Sequence, residues 1–167
     1  MLPVSLTTSI RVGLIGEGNS LGRRAALLVE SGVRPELLPE DAHDERLTGL
    51  KLLFVAGLDE ERSFALASRA RALGVLVNVE DEPELCDFHV PAIVRRGDLV
   101  LTVSTGGQAP GLARRLREWL EQQFSEEWHG RLKHLSEVRS GWRADGIPAG
   151  EVSRRTSALI AEQGWLP

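Results

Sequence analysis

Cysteine is almost absent from this chain of 167 residues: Cys86 stands alone, so no internal disulfide can form and a reducing compartment fits. Lysine is nearly as scarce. Of 20 lysines and arginines only Lys51 and Lys133 are lysine, and the other 18 are arginine, the residue better suited to bidentate recognition of carboxylates. No apolar run reaches membrane-spanning length. The N-terminus has neither the charged nor the apolar region of a signal peptide. The expectation is a cytoplasmic protein with no membrane partner. Excess positive charge is lacking too: the formal net charge is −4, which argues against a nucleic-acid binder. What is present is 42% hydrophobic residues, enough for a globular core and too many for a disordered chain. The length fits one domain or two small ones.

Strand and helix signals alternate through the first half. Residues 10–15 (IRVGLI) read as a strand leading into Gly16-Glu17-Gly18-Asn19-Ser20, and residues 21–30 as a helix ended by Gly32. Residues 34–38 suit a second strand, and 39–48 are polar and turn-like. Residues 50–56 (LKLLFVA) form a buried-type strand. Residues 59–73 suit a helix on which Phe64, Leu66, Ala67 and Ala70 recur on one side, and residues 75–79 the next strand. This order predicts a mostly parallel sheet with right-handed crossovers. After Asp81 the pattern changes. Residues 88–94 and 99–104 look like a hairpin around Arg95-Arg96-Gly97-Asp98. Pro110 suits the first turn of a helix whose Leu112, Leu116, Trp119, Leu120 and Phe124 share an apolar face. Two more helices are expected over about 125–139 and 149–163, with a loop at 141–150. The predicted fold class is α/β: a Rossmann-like parallel sheet over residues 1–84, a β-hairpin region over 85–108 and a helical C-terminal domain over 109–167.

Four clusters carry possible chemistry, and each reads two ways on its own. Gly16, Gly18 and Gly22 lie between a strand and a helix; Gly16 suits the tight turn and Gly18 the approach of a pyrophosphate, although Leu21 occupies the third position of G-x-G-x-x-G. Glu36, 20 residues after Gly16, would accept the ribose hydroxyls of NAD and repel a 2′-phosphate, with Arg34 nearby to complicate the choice. A strand–turn–helix without any nucleotide leaves the same signature. Glu80, Asp81 and Glu82 follow a buried-type strand. Asp81 is the best placed to accept a proton, with a pKa raised by burial, but the cluster also reads as a solvated loop capping the next short helix. Thr105-Gly106-Gly107, after Ser104, offers backbone N–H groups to a phosphate or carboxylate, or simply starts a helix. Arg95, Arg96, Arg114, Arg115 and Arg117 make a basic wall if hairpin and helix meet, and an ordinary charged face otherwise. Cys86, Asp87 and His89 invite a metal reading, but alternating strand residues do not converge on one ion, so no metal site is assigned and Cys86 reads as a small core residue.

Three runs together resemble the precorrin-2 dehydrogenase / sirohydrochlorin ferrochelatase family, the first module of siroheme synthases. They are VNVEDEPELCDFHVPAIV (77–94), VSTGGQAPGLARRLR (103–117) and GLIGEGNSLGRRAALLVESG (13–32). In the last run Arg23-Arg24 stands for the family's Arg-Lys pair. Leu2-Pro3 matches the usual leading pair, and coverage is essentially the whole chain. The resemblance implies NAD-dependent oxidation of precorrin-2 to sirohydrochlorin in a homodimer whose hairpin halves exchange contacts, and in some members insertion of Fe²⁺ to give siroheme. It puts the family's essential aspartate on Asp81 and, on Thr105, a residue that is a phosphorylated serine in one branch. It assigns NAD to Gly16, Glu17, Gly18, Asn19, Ser20, Glu36, Gly57 and Leu58. The tetrapyrrole's carboxylates go to Ser104, Thr105, Gly106, Gly107, Arg114 and Arg115. Where the family has three consecutive glycines this chain has Gly16-Glu17-Gly18, which puts a negative charge beside the pyrophosphate and predicts weaker NAD binding. Gly57-Leu58 replaces Ala-Thr, and the short 39–50 region predicts a sheet lacking a strand. No methyltransferase domain follows residue 167, so methylation is expected from another protein. The alternatives are a chelatase that does not use NAD and a tetrapyrrole-binding protein with a degenerate NAD site.

Overall fold

Three apolar runs become the centre and one edge of a single parallel sheet, β1 (Val12–Gly16), β3 (Leu52–Ala56) and β4 (Leu76–Val79). A two-residue strand, β2 (Glu36–Leu37), completes the order β2-β1-β3-β4, with every neighbouring pair parallel. The computed structural model describes residues 4–166, so the Leu2-Pro3 match lies outside the described residues. The chain divides into two compact units, one reaching to Val90 and the other starting at Pro91.

In the first unit both faces of the sheet are covered, which is why its strands read as continuous apolar runs rather than alternating ones. Val12, Leu14, Leu52 and Phe54 point to one face and pack with Leu28 of helix α1 (Gly18–Glu30). Ile15, Leu53 and Val55 point to the other and meet Leu66, Ala67 and Ala70 of helix α3 (Glu60–Ala72). Each such aliphatic side chain, fully buried, contributes roughly 1.5–3 kcal/mol. Asp59 caps α3, its carboxylate accepting from the Arg62 backbone N–H at 2.9 Å.

Several expectations shift. Helix α1 starts at Gly18, not residue 21. The polar 39–48 stretch contains a short helix, α2 (Asp44–Leu47), and buries Ala42 and Leu47 beneath α3, so it is part of the core. Phe64 does not share the buried face of α3: it is 59% exposed, and Ser63 takes the inward position. The helix phase that buries Leu66, Ala67 and Ala70 places position 63, one turn earlier, inside.

The second unit holds the expected hairpin, but shorter. Strands β5 (Ala92–Arg96) and β6 (Leu99–Val103) pair antiparallel about a two-residue Gly97-Asp98 turn, with Arg96 opposite Leu99. Arg95 and Arg96 therefore belong to a strand, and residues 88–90 pack with the first unit, Phe88 edge-on to Phe54 at 5.3 Å. Three helices follow, α4 (Pro110–Gln123), α5 (Glu127–Ala144) and α6 (Ala149–Glu162). Helix α5 runs through Gly141, which leaves 145–148 as the loop. The expected α/β class, parallel sheet then hairpin then helices, is what the chain adopts. No helix among the described residues is long and apolar enough to cross a membrane.

Candidate functional site

The connection from β1 goes to one side of the sheet and β3 lies on the other, so the carboxyl ends of β1 and β3 flank the point where strand order reverses. Open α/β sheets bind ligands there. The glycine loop and the Gly57-Leu58 segment both leave the sheet at this edge, and the structure brings them together. The Glu17 N–H donates to the Ala56 carbonyl at 3.1 Å. A Cβ on Gly16 would stand 2.0 Å from the Ala56 oxygen, and one on Gly57 would stand 2.5 Å from the Glu17 oxygen. Two glycines are needed because two backbones touch. Gly18, at the first turn of α1, has φ +60° and open space around the missing Cβ. The start of α1, with Asn19 and Ser20 in its first turn, is thus accessible to an anion through backbone N–H groups. These residues fit the pyrophosphate of a dinucleotide.

The acids around this edge are arranged differently from the expectation. Glu36 pairs with Gly13, three residues short of the end of β1, and Arg11 grips its carboxylate through Nε at 2.8 Å and through a second nitrogen at 3.1 Å. That pairing holds the Glu36 carboxyl below the usual carboxylate range. The Leu38 N–H donates to the Leu14 carbonyl, so the chain reaches the carboxyl edge two residues later, at Glu40. Arg62 of α3 bridges Glu40, also through an Nε contact at 2.9 Å, to Glu17, at 3.0 Å. The arginine holds Glu40 below the ordinary carboxylate value and is itself driven up by the two acids. Glu17 is therefore paired with a side chain 45 residues away, a contact that spacing does not reveal.

Asp81 is the one non-glycine residue with positive φ among the described residues, at 62°. Aspartate tolerates this region better than most residues, but the conformation persists only where surroundings impose it. Here they do. The Glu80 N–H donates to the Val55 carbonyl at 2.9 Å. The Cys86 thiol donates to the Val79 carbonyl at 3.2 Å, and its sulfur accepts the Val79 N–H at 3.3 Å. The Asp87 carboxylate accepts the Val77 N–H at 2.9 Å, and buried Asn78 donates to the Phe88 carbonyl at 2.9 Å. Residues 82–88 fold back along β4 and clasp the turn, leaving Asp81 exposed rather than buried. Glu82 precedes the 3-10 turn Pro83–Leu85 without a side-chain cap. Glu80 faces Arg23 and Arg24 at 3.7 and 4.0 Å, and Arg24 is only 14% exposed, stacked over Phe54. Cys86 and Asp87 serve this backbone clasp. Among the described residues no group of three or more His, Cys, Asp or Glu is placed to hold a metal ion.

In the second unit the Ser104–Gly107 turn leads into α4. The Thr105 hydroxyl accepts the Ala109 N–H at 3.2 Å, and the Ser104 hydroxyl accepts the Gly106 N–H at 3.2 Å. Arg114 and Arg115 are exposed and clasp Glu118 at 3.0 and 3.3 Å, which depresses its carboxyl. Exposed pairs of this kind are worth about 0–1 kcal/mol, so a polycarboxylate ligand can take the arginines over. Arg96 is not part of a ligand wall. Its side chain is 12% exposed, and it donates to the Phe124 and Glu121 carbonyls at 2.6 and 3.2 Å, closing the end of α4.

A family model described as putative NAD(P)-binding matches residues 6–92, and one described as sirohaem biosynthesis protein central matches residues 96–123. The chain belongs to the siroheme-biosynthesis family that these two models describe. The siroheme synthase of Pseudomonas paraeruginosa is 36% identical over 192 residues, covering 94% of this chain and 41% of that protein. The siroheme synthase of Methylobacillus flagellatus is 38% identical over 128 residues, covering 65% of this chain and 27% of its own length. The chain thus spans well under half the length of these siroheme synthases. Among solved structures, SirC, a precorrin-2 dehydrogenase, superposes with a TM-score of 0.72 at 20% identity, covering 100% of this chain and 93% of that one. At that identity the match bears on the fold, which this member of the siroheme family shares.

Proposed function

We propose that the protein is an NAD-dependent precorrin-2 dehydrogenase of siroheme or cobalamin biosynthesis, acting in the cytoplasm as a homodimer through its hairpin region. The observation that carries this reading is Asp81. A carboxylate stands at the carboxyl edge of a parallel sheet, in a left-handed conformation held by five neighbouring hydrogen bonds, at the position of the family's essential aspartate. Gly16 to Ser20, with Gly57 and Leu58 beside them, hold NAD, which supplies the two-electron acceptor when bound. Asp81 takes the proton lost from the oxidised ring, and its exposure lets it pass that proton to water. The Ser104–Gly107 turn with Arg114 and Arg115 binds substrate carboxylates, the arginines leaving Glu118 to do so. The same aspartate can strip pyrrole protons when Fe²⁺ is inserted.

A chelatase or tetrapyrrole carrier without NAD is the second reading, favoured by the carboxylate of Glu17 in the glycine loop. One experiment separates them. The purified protein is titrated with NAD, precorrin-2 is added, and absorbance is followed with and without Fe²⁺ or Co²⁺. NAD-dependent appearance of the sirohydrochlorin spectrum is expected. Metal insertion without NAD-dependent oxidation would establish the chelatase reading instead, and ligand binding with neither reaction would leave a carrier.

A further inference from the structure

The Glu17–Arg62–Glu40 bridge lies at the carboxyl edge of the sheet, and neither Arg62 nor Glu40 has a part in the roles above. Glu40 follows β2 at the carboxyl end of the sheet, where an acid meets the adenosine ribose in Rossmann-like folds. Arg62 gives it both a side-on Nε contact and a terminal nitrogen. The other terminal nitrogen goes to Glu17, beside the pyrophosphate loop, and Asp59 stands 3.8 Å off. Three carboxylates surround one guanidinium, so the local field is net negative. A ribose diol can donate to Glu40 in that field; a 2′-phosphate is repelled. Next to the bridge a cleft of about 290 Å³ is lined by Glu40, Glu61, Arg62, Ala65, Leu66 and Arg69.

We propose that Glu40 and Arg62 are the residues that set the choice of dinucleotide: Glu40 accepts the ribose hydroxyls, and Arg62, held by Glu40 and Glu17, is a latent phosphate site that those acids keep closed. The assignment rests on the NAD-binding reading above and moves the selecting acid from Glu36 to Glu40. Freed from Glu40, the planar guanidinium would offer its donors to a 2′-phosphate, the geometry arginine suits best.

The test is calorimetric titration of the full chain with NAD and with NADP, independent of turnover. The native protein is expected to bind NAD roughly tenfold or more tighter than NADP, the scale of one charge-assisted hydrogen bond. Glu40→Gln should weaken NAD and strengthen NADP, moving the ratio by about tenfold toward NADP. Adding Arg62→Gln to Glu40→Gln should abolish the gain in NADP affinity. Both side chains are half-buried, and circular dichroism checks that each variant is folded. A ratio that stays within about twofold in Glu40→Gln, that follows Glu36→Gln instead, or that remains shifted without Arg62 overturns the proposal. If the native protein oxidises precorrin-2 with NAD and the ratio does not move, this assignment alone fails. If it binds neither dinucleotide, the dehydrogenase reading fails with it.

Discussion

Asp81 combines an exposed carboxylate with a backbone that costs free energy to hold. A left-handed residue with a Cβ is disfavoured by about 1–2 kcal/mol, less for aspartate and asparagine. Asp81→Asn should therefore fold and still bind tetrapyrrole, while dehydrogenation slows by about 10²-fold or more, the usual cost of losing a general acid–base group. Single-turnover absorbance measures this. Near-normal turnover in Asp81→Asn, with loss in Glu80→Gln or Glu82→Gln, would move the catalytic role to that neighbour. Cys86 gives a second prediction at this scale. Burial, the largest effect on it, pushes its thiol above the ordinary value of 9.0 and outweighs its bond to Val79. The thiolate is the reactive form, so alkylation by iodoacetamide at pH 7.5 should be slow in the folded protein and fast after denaturation. Rapid labelling of the native protein would mean that the clasp around Asp81 opens readily.

Among the elements, the parallel strands were the most legible in the sequence, because burial on both faces leaves runs such as LKLLFVA that few other structures need. The glycine loop was legible as well, since two touching backbones demand glycine. The acid that reaches the carboxyl edge after β2 was not. A strand of two residues carries no periodicity, and whether Glu36 or Glu40 reaches the edge depends on the Leu38–Leu14 hydrogen bond, which spacing cannot show. The outward place of Phe64 is hidden because a small buried serine leaves no apolar mark on the inward face of α3. In the sequence Arg96 looks like a surface cation, because nothing in its neighbours announces helix carbonyls 25 and 28 residues away. Its role is testable: Arg96→Met keeps the apolar stem and removes the donors, and should cost about 1.5–3 kcal/mol in denaturant unfolding, the worth of hydrogen bonds to a charged group. A change below about 0.5 kcal/mol would show that the end of α4 needs no such closure.

Across the whole molecule, burial is unevenly shared. Nearly all the buried apolar residues belong to the first unit; from Pro91 on, only Val94 and Val152 are comparably buried among the described residues. Leu112, Leu116 and Trp119 of α4, Trp119 at 54% exposure, and Val100 of β6 face outward. The proposed isologous homodimer would cover that surface. Light scattering at micromolar concentration should give twice the chain mass, and a stable interface should bury more than about 1,000 Å². A monomer at that concentration would contradict it. The thin interior of the second unit then has a thermodynamic consequence. Where folding and association are one equilibrium, mass action enters the stability, and the apparent melting temperature climbs with protein concentration. The sheet-bearing unit, closed on its own core, should melt at a temperature indifferent to concentration. Dilution would then act as a selective denaturant, loosening the helical half of the chain while the sheet-bearing half stays folded.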